Sequence, residues 1–355
     1  MEKADIKSMT MPELEEFVTG TLGEKKYRAA QIYDWMHGKL ADDFSDMTNL
    51  SRSLRERLTQ TASLIHLETA DRLISELDGT RKYLFRLPDD RIIESVLMIY
   101  HHGHSVCISS QVGCRMGCRF CASTLGGLER QMLPSEMLDE IYQIQKDCGH
   151  RISNVVVMGT GEPLDNYDNL IRFLTLLTDS RGLGISQRNI TVSTCGLVPR
   201  IYELADLQLQ ITLAISLHAV TDEKRREIMP VANRYSIEEI LKACRYYIDK
   251  TGRRITFEYS LISGVNDSRE EAEALADLTK GLLCHINLIP VNPIEERDYR
   301  QSEAGAISKF KNILENCGRN VTIRREMGRD IQAACGQLRK QYMQRESDLP
   351  SEYYI

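Results

Sequence analysis

Residues Ser105–Gly127 read "SVCISSQVGCRMGCRFCASTLGG" and place four cysteines within fifteen positions, Cys107 through Cys121. Three of them, Cys114, Cys118 and Cys121, follow a C-x3-C-x2-C spacing. A disulfide knot, a zinc staple and an iron–sulfur cradle all use clustered cysteines. A knot needs an oxidising compartment. The amino terminus, "MEKADIKSMT", lacks the basic-then-apolar layout of a secretory signal, and no apolar run approaches the roughly 20 residues that span a bilayer. A cytoplasmic location is therefore expected, where cysteines at tight spacing bind metal or react. Four cysteines, or three with His102 or His104, would close a tetrahedral zinc site. Structural zinc, however, usually joins two knuckles across a loop, and these cysteines lie on one continuous stretch. A chain of 355 residues also buries enough core to need no staple. A four-iron cubane held by three thiolates leaves one iron open to another ligand, and the stretch favours that reading.

Working outward, "SVCISS" reads as a strand leading into the cysteine loop. Further strands are expected in "NVVVMG", "NITVSTC", "ITLAISL", "RITFEYSLI", "HINLIPV" and "VTIRRE". Amphipathic helices alternate with them. In "SIEEILKACRYYIDKTG" the residues Ile237, Ile240, Leu241, Cys244 and Ile248 form one apolar stripe, and Ser236 with Glu239 has capping-box spacing. Strand–helix alternation with short connections predicts an α/β fold with a parallel sheet of six or seven strands, open or curled into a partial barrel. Ligands then bind at the carboxyl ends of the strands. Upstream, Leu50, Leu54 and Leu58 recur at every fourth position and predict helices for residues 1–66. Residues 67–100 read as a two-stranded β-hairpin linker turning at Pro88-Asp89-Asp90. Residues 101–343 form the α/β core, and residues 344–355 are a polar tail expected to be mobile.

Net charge is −6, so no global field announces nucleic acid, but "EKKYR" and the segment from Arg319 to Arg345, with seven basic residues against two acidic, suit phosphate contact or a solvated surface. No heptad or self-complementary patch appears, and a monomer is expected. "GTGEP" at 159–163 lacks the third glycine of a dinucleotide fingerprint, which disfavours a nicotinamide enzyme.

"CRMGCRFC", with an aromatic residue before its last cysteine, resembles the cysteine motif of the radical S-adenosylmethionine superfamily. "SSQVGC", "CASTLGG", "GTGEP", "ISLHA", "LIPVNP" and "DIQAACGQLR" follow in the order of one branch, the RlmN and Cfr methyltransferases. The similarity runs from the amino-terminal helices to about Arg339. It implies a partial (β/α)6 barrel preceded by a helical RNA-binding domain, with one 4Fe-4S cluster and S-adenosylmethionine as cofactors. It implies further that Cys114, Cys118 and Cys121 hold the cluster and that the substrates are 23S ribosomal RNA and some tRNAs. A flavodoxin- or ferredoxin-type protein would supply the electron. Carbon 2 of adenine, the RlmN target, is electron-poor and does not attack a sulfonium methyl, so a radical route is needed.

By the same resemblance Cys335 is methylated first and carries the methyl group, Cys107 releases the product by forming a disulfide with it, and Glu94 removes the ring proton. Both thiol roles need thiolate character, so Cys335 should lie in electropositive surroundings, with Arg324, Arg325 and Arg329 as contributors. Read from its strand alone, Glu94 is simply the polar face of an alternating pattern. Gly161, Glu162, Ser193, Ser216, Leu217, His218 and Asn292 match the cofactor-binding positions, each at or just beyond a strand end. Cys148, Cys195, Cys244, Cys284 and Cys317 are read as structural. Lys25, Lys26 and Arg28 are the RNA-binding candidates of the helical domain. Cfr-type methylation of carbon 8, a glycyl-radical activase and a non-catalytic zinc-stapled RNA-binding protein are the alternatives.

Overall fold

A computed structural model describes residues 3–101, 103–292 and 298–331. Its amino-terminal helices start where capping chemistry puts them. α1 (Met11–Glu16) follows Thr10, whose backbone N–H donates to Glu13 Oε2 at 2.8 Å. α2 (Tyr27–Tyr33) comes next, and α3 (Arg52–Thr61) follows Ser51, whose hydroxyl accepts from the Leu54 N–H. Leu50, Leu54 and Leu58 are buried as their spacing predicts. A short parallel pair, β1 (Ala4–Asp5) and β2 (Ala62–Ser63), joins the ends of this unit.

The next segment departs from a hairpin. β3 (Glu68–Ile74), β4 (Arg81–Arg86) and β5 (Ile92–Tyr100) form a three-stranded antiparallel meander. The expected turn lies between β4 and β5, with Asp90 at φ 65°. β5 then pairs antiparallel with β6 (Gly103–Ile108), so the meander is continuous with the main sheet. β7 (Gln111–Gly113) and β8 (Leu128–Gln131) pair across the neck of the cysteine loop.

Beyond α4 (Pro134–Cys148) helices and strands alternate: β9 (Ile152–Val157), α5 (Tyr167–Thr178), β10 (Ile190–Thr194), α6 (Val198–Asp206), β11 (Thr212–Ser216), α7 (Asp222–Ile228) and α8 (Ile237–Thr251). β12 (Ile255–Leu261), α9 (Arg269–Leu278), β13 (Cys284–Pro290), α10 (Ala304–Asn316) and β14 (Val321–Ile323) complete the described chain. The Ser236–Glu239 box caps α8 as read. The strand order is β14-β13-β12-β11-β10-β9-β6-β5-β4-β3, with the run from β6 to β14 parallel. Each new parallel strand is added beside its predecessor, and right-handed crossovers then keep the helices on one face. The sheet curls. The Ser75 hydroxyl donates to Asp330 Oδ1 at 2.6 Å and the Gly328 N–H to Asp78 Oδ2 at 3.0 Å, so the β3–β4 turn meets the chain beyond β14.

Strand alternation separates two surfaces. Val155, Val192, Leu213, Ile215, Phe257 and Leu288 are fully buried, and Tyr259 lies with its ring 5.5 Å from Phe310 of α10. Each such side chain contributes about 1.5–3 kcal/mol by leaving water. The intervening positions form the inner face and are mostly polar, among them Asn154, Thr191, Ser193, Ser216, Thr256, Glu258 and Ser260.

The helical unit is bolted to α4. Lys7 Nζ, wholly buried, donates to Asp139 Oδ1 at 2.7 Å, whose other oxygen accepts from the Leu67 N–H. His37 Nδ1 lies 2.7 Å from the Tyr142 hydroxyl, and His37 Nε2 is buried without a partner among the described residues. Burial, reinforced by the Lys7 charge, holds the His37 pKa down at about 3. The unfolded chain protonates this imidazole below about pH 6.5, whereas the folded chain does not until about 3. Stability is therefore lost as pH falls through that window. Relative to a His37→Gln variant, the wild type should lose about 1.4 kcal/mol of unfolding free energy per pH unit below pH 6 in urea titrations. Two curves that stay parallel from pH 7 to 4 would refute a neutral buried imidazole.

Candidate active site

The cysteine loop is fastened at its neck. The Cys114 N–H donates to Gly127 O at 2.8 Å, and a Cβ on Gly113 (φ 75°) would lie 2.0 Å from that oxygen, so only glycine fits. Inside the loop the Thr124 hydroxyl reaches the carbonyls of Cys118 and Cys121, and the Arg119 N–H donates to Ile228 O at 2.9 Å, tying the loop to α7. Arg115 and Gln111 both bond Asp165, beyond β9.

Cys114, Cys118 and Cys121 line one cavity of about 220 Å³ at the carboxyl ends of the parallel strands, where the strand-end rule places a ligand. Gly161, Glu162, Ser193, Ser216, His218 and Asn292 line it too. Leu217 does not: its side chain is wholly buried, and its backbone N–H donates to Glu258 O at 3.1 Å. Cys335 lies outside the described residues.

The wall also contains Thr194, Glu258 and Ser260, which the sequence reading passed over, together with Cys195 and with Arg324, which is expected near Cys335. Cys195, which the sequence marks as structural, lies on the cavity wall, where its N–H donates to Glu162 Oε2 at 2.7 Å. Cys317, read as a small buried residue, is exposed. Glu162 Oε1 accepts from the Leu164 N–H at 3.0 Å, so the carboxylate clamps the β9 and β10 ends together. Burial raises the pKa of Glu162, and likewise of Glu258, which accepts from Asn287 Nδ2 at 2.8 Å and feels the Arg324 charge. His218 Nδ1 accepts from the Ser260 N–H at 2.9 Å, which puts the ring proton on Nε2. Burial keeps that imidazole neutral, with a pKa of about 3.

Glu94 and Cys107 are not on this wall but share the sheet's inner face with it. Val96 pairs with Cys107, Cys107 pairs with Val156, and Glu94 stands two residues from Val96. Both Glu94 and Cys107 are buried, and Lys82 Nζ, wholly buried, lies 3.4 Å from Glu94 Oε2.

Burial pushes the Cys114 thiol up to about 12 and the Cys118 thiol up as well, so a metal must displace protons to bind. Among the described residues no three His, Cys, Asp or Glu converge tightly enough for a single ion. A cubane attaches its three thiolates to different irons and needs a wider triangle, which a loop of three cysteines around one cavity can supply.

Gly161 sits at φ 111°, and a Cβ there would lie 2.6 Å from Gln111 Cβ. Gly161→Ala is expected to cost about 1–3 kcal/mol in chemical denaturation, and to loosen the clamp made by Glu162. A variant unfolding at the parent's denaturant midpoint would contradict this close approach.

Residues 4–64 match the family model of the ribosomal RNA large subunit methyltransferase N-terminal domain, and residues 108–278 match that of the radical SAM superfamily. A protein from Lachnospira eligens described as a probable dual-specificity RNA methyltransferase RlmN is 66% identical over 340 residues, covering 96% of this chain and 97% of its own. One of the same description from Clostridioides difficile is 54% identical over 344 residues, covering 96% and 100%. The crystal structure of a radical SAM methyltransferase from Sphaerobacter thermophilus superposes with a TM-score of 0.90 at 43% identity, over 94% of this chain and 98% of that one. With kinship of this depth along nearly its whole length, the chain belongs to the RlmN family of the radical SAM superfamily.

Proposed function

We propose that this chain methylates carbon 2 of an adenosine in 23S ribosomal RNA, and of an adenosine beside the anticodon in some tRNAs, using two S-adenosylmethionine molecules per turnover. It is an RNA methyltransferase of the radical SAM superfamily, a class that works with a 4Fe-4S cluster and S-adenosylmethionine. The observation that carries the finer reading is the inner face of the sheet, which runs from the three loop thiols to Glu94 and Cys107 without an intervening helix.

Cys114, Cys118 and Cys121 would hold the cluster, which when bound supplies one-electron cleavage of the sulfonium. Gly161 lets the backbone approach the methionine end. Each Glu162 oxygen receives one backbone N–H and keeps a lone pair for an ammonium group. Ser193, Ser216, the Nε2–H of His218 and Asn292 offer donors and acceptors to ribose and adenine edges. Leu217 contributes through the path of the chain between Ser216 and His218, since its side chain belongs to the core.

Cys335 takes a methyl group by ordinary displacement, its sulfur forming the new bond as the sulfonium–methyl bond breaks. Glu94, with Lys82 as its counter-charge, accepts the proton from the ring carbon. The methyl carbon, relieved of one hydrogen atom by the radical that the cofactor would supply, would already be bonded to the ring carbon. Cys107, having given up its proton, would then bond to the Cys335 sulfur as the sulfur–carbon bond breaks. The one surplus electron would pass to an acceptor of the iron–sulfur class, and the methylated base would be free. Asp330, five residues before Cys335 in sequence, is fixed to the β3–β4 turn by the Ser75 hydroxyl and the Glu76 N–H.

The base must leave its stack to reach this face. Lys25, Lys26 and Arg28 flank Tyr27, whose ring is 54% exposed with the Arg28 guanidinium 4.9 Å from its centroid, a surface suited to RNA phosphates and bases. A flavodoxin or ferredoxin would deliver the electron, in the cytoplasm. No helix among the described residues is long and apolar enough to cross a membrane.

Anaerobic incubation of reconstituted protein with labelled cofactor and 23S RNA fragments should yield 2-methyladenosine by mass mapping. Cys335→Ala should lower formation of 2-methyladenosine by about a thousandfold or more. A methyl group on carbon 8, or a Cys335→Ala variant with parental turnover, would overturn the reading.

A further inference from the structure

Arg225, on α7, is wholly buried. Its guanidinium donates to three backbone carbonyls at the strand ends: Nη2 to Cys195 O at 2.6 Å and to Ser216 O at 3.1 Å, Nε to Leu217 O at 3.1 Å. Nη1 is buried with no partner among the described residues. Beside it, a Cβ on Gly196 would lie 2.8 Å from Ile240 Cδ1 and in ordinary contact, 3.5 Å, with Nη2.

What sets this cation apart is its missing counter-charge. Among the described residues the other two wholly buried cations each have a carboxylate: Lys7 has Asp139 at 2.7 Å, and Lys82 has Glu94 at 3.4 Å. Among the described residues no carboxylate lies within ion-pair distance of Arg225. The side chains nearest it on the cavity side are those of Cys195, whose carbonyl it holds, and Cys118, which packs in the same cluster as Cys195. A buried, uncompensated charge is among the costliest features a fold can carry, and carbonyl dipoles offset it only in part. The guanidinium thus waits for negative charge beside Cys118.

We propose that Arg225 is the buried counter-cation of the cluster held by Cys114, Cys118 and Cys121, left unbalanced in the apo chain, balanced when the cluster binds, and favouring the reduced cluster over the oxidised one. This rests on the assignment of those three cysteines as cluster ligands. A thiolate-bound cluster is anionic and gains a further negative charge on reduction. A fixed cation in low dielectric stabilises the more negative state more, which raises the reduction potential. Arg225 is a positioning residue: it touches the Cys195, Ser216 and Leu217 carbonyls, and acts through charge.

The test compares wild type with Arg225→Lys, which keeps the charge, and with Arg225→Gln and Arg225→Met, which remove it. Either neutral variant suffices for the reading, so failure of one to fold leaves the other. After anaerobic reconstitution, iron content, the rise in melting temperature on cluster loading and the midpoint potential by EPR-monitored titration are measured. Neutral variants should show a smaller rise in melting temperature and a more negative midpoint potential, with Arg225→Lys close to wild type. A neutral variant that loads iron fully and keeps both parental values would overturn the proposal. Wild type that binds no iron would instead overturn the ligand assignment itself.

Discussion

Alternate side chains along the parallel strands point away from the helices, and most of them are polar. A polar face inside a protein destabilises it unless each group is bonded to something or to solvent. Here one part of the face is satisfied internally. His285 reaches Asn320 and Thr322, Thr322 donates to Asn287 at 3.1 Å, and Asn287 donates to Glu258. The rest opens into the cavity, where ligand groups complete the pairing. The fold is stable because its other face is mostly apolar, and it is useful because this one is not.

The cysteine loop is joined to that face at several points. β7 and β8 close its neck, Arg115 and Gln111 fasten it to Asp165, and the Arg119 N–H fastens it to α7. α7 in turn carries Arg225 beneath the ends of β10 and β11. A second buried polar group, Glu140, does the same beneath β5 and β6. One of its oxygens accepts from the Ser95 hydroxyl and from the Ser109 N–H, while the Ser109 hydroxyl donates to Glu94 O at 2.8 Å. The strands bearing Glu94 and Cys107 are therefore locked in register from the helix side, leaving the inner side for chemistry.

The parallel strands were legible because runs such as "NVVVMG" and "ITLAISL" leave little choice. β3 was not, because "ETADRLI" is an edge strand with mostly exposed side chains and no apolar alternation to announce it. The loop cysteines and most cavity groups could be placed because strand ends are visible as pattern breaks. Leu217 sits between two cavity residues in sequence but on the opposite side of the pleat, a distinction only register reveals. Glu258 and Ser260 did carry a signal, polar residues at period two within an apolar strand, but that signal equally describes a solvated face. Arg225 lies in "DEKRREI", which reads as a charged surface turn, and its burial follows only from where α7 packs.

The central claim is that three thiols on one loop hold a four-iron cluster with a vacant iron. Mössbauer spectroscopy of iron-57-reconstituted, oxygen-free protein tests it most directly, read with and without S-adenosylmethionine. The account predicts about four irons per chain, with one iron site changing its parameters when the cofactor is added. A spectrum without a cubane, or a cubane that persists unchanged in Cys118→Ala, would contradict it.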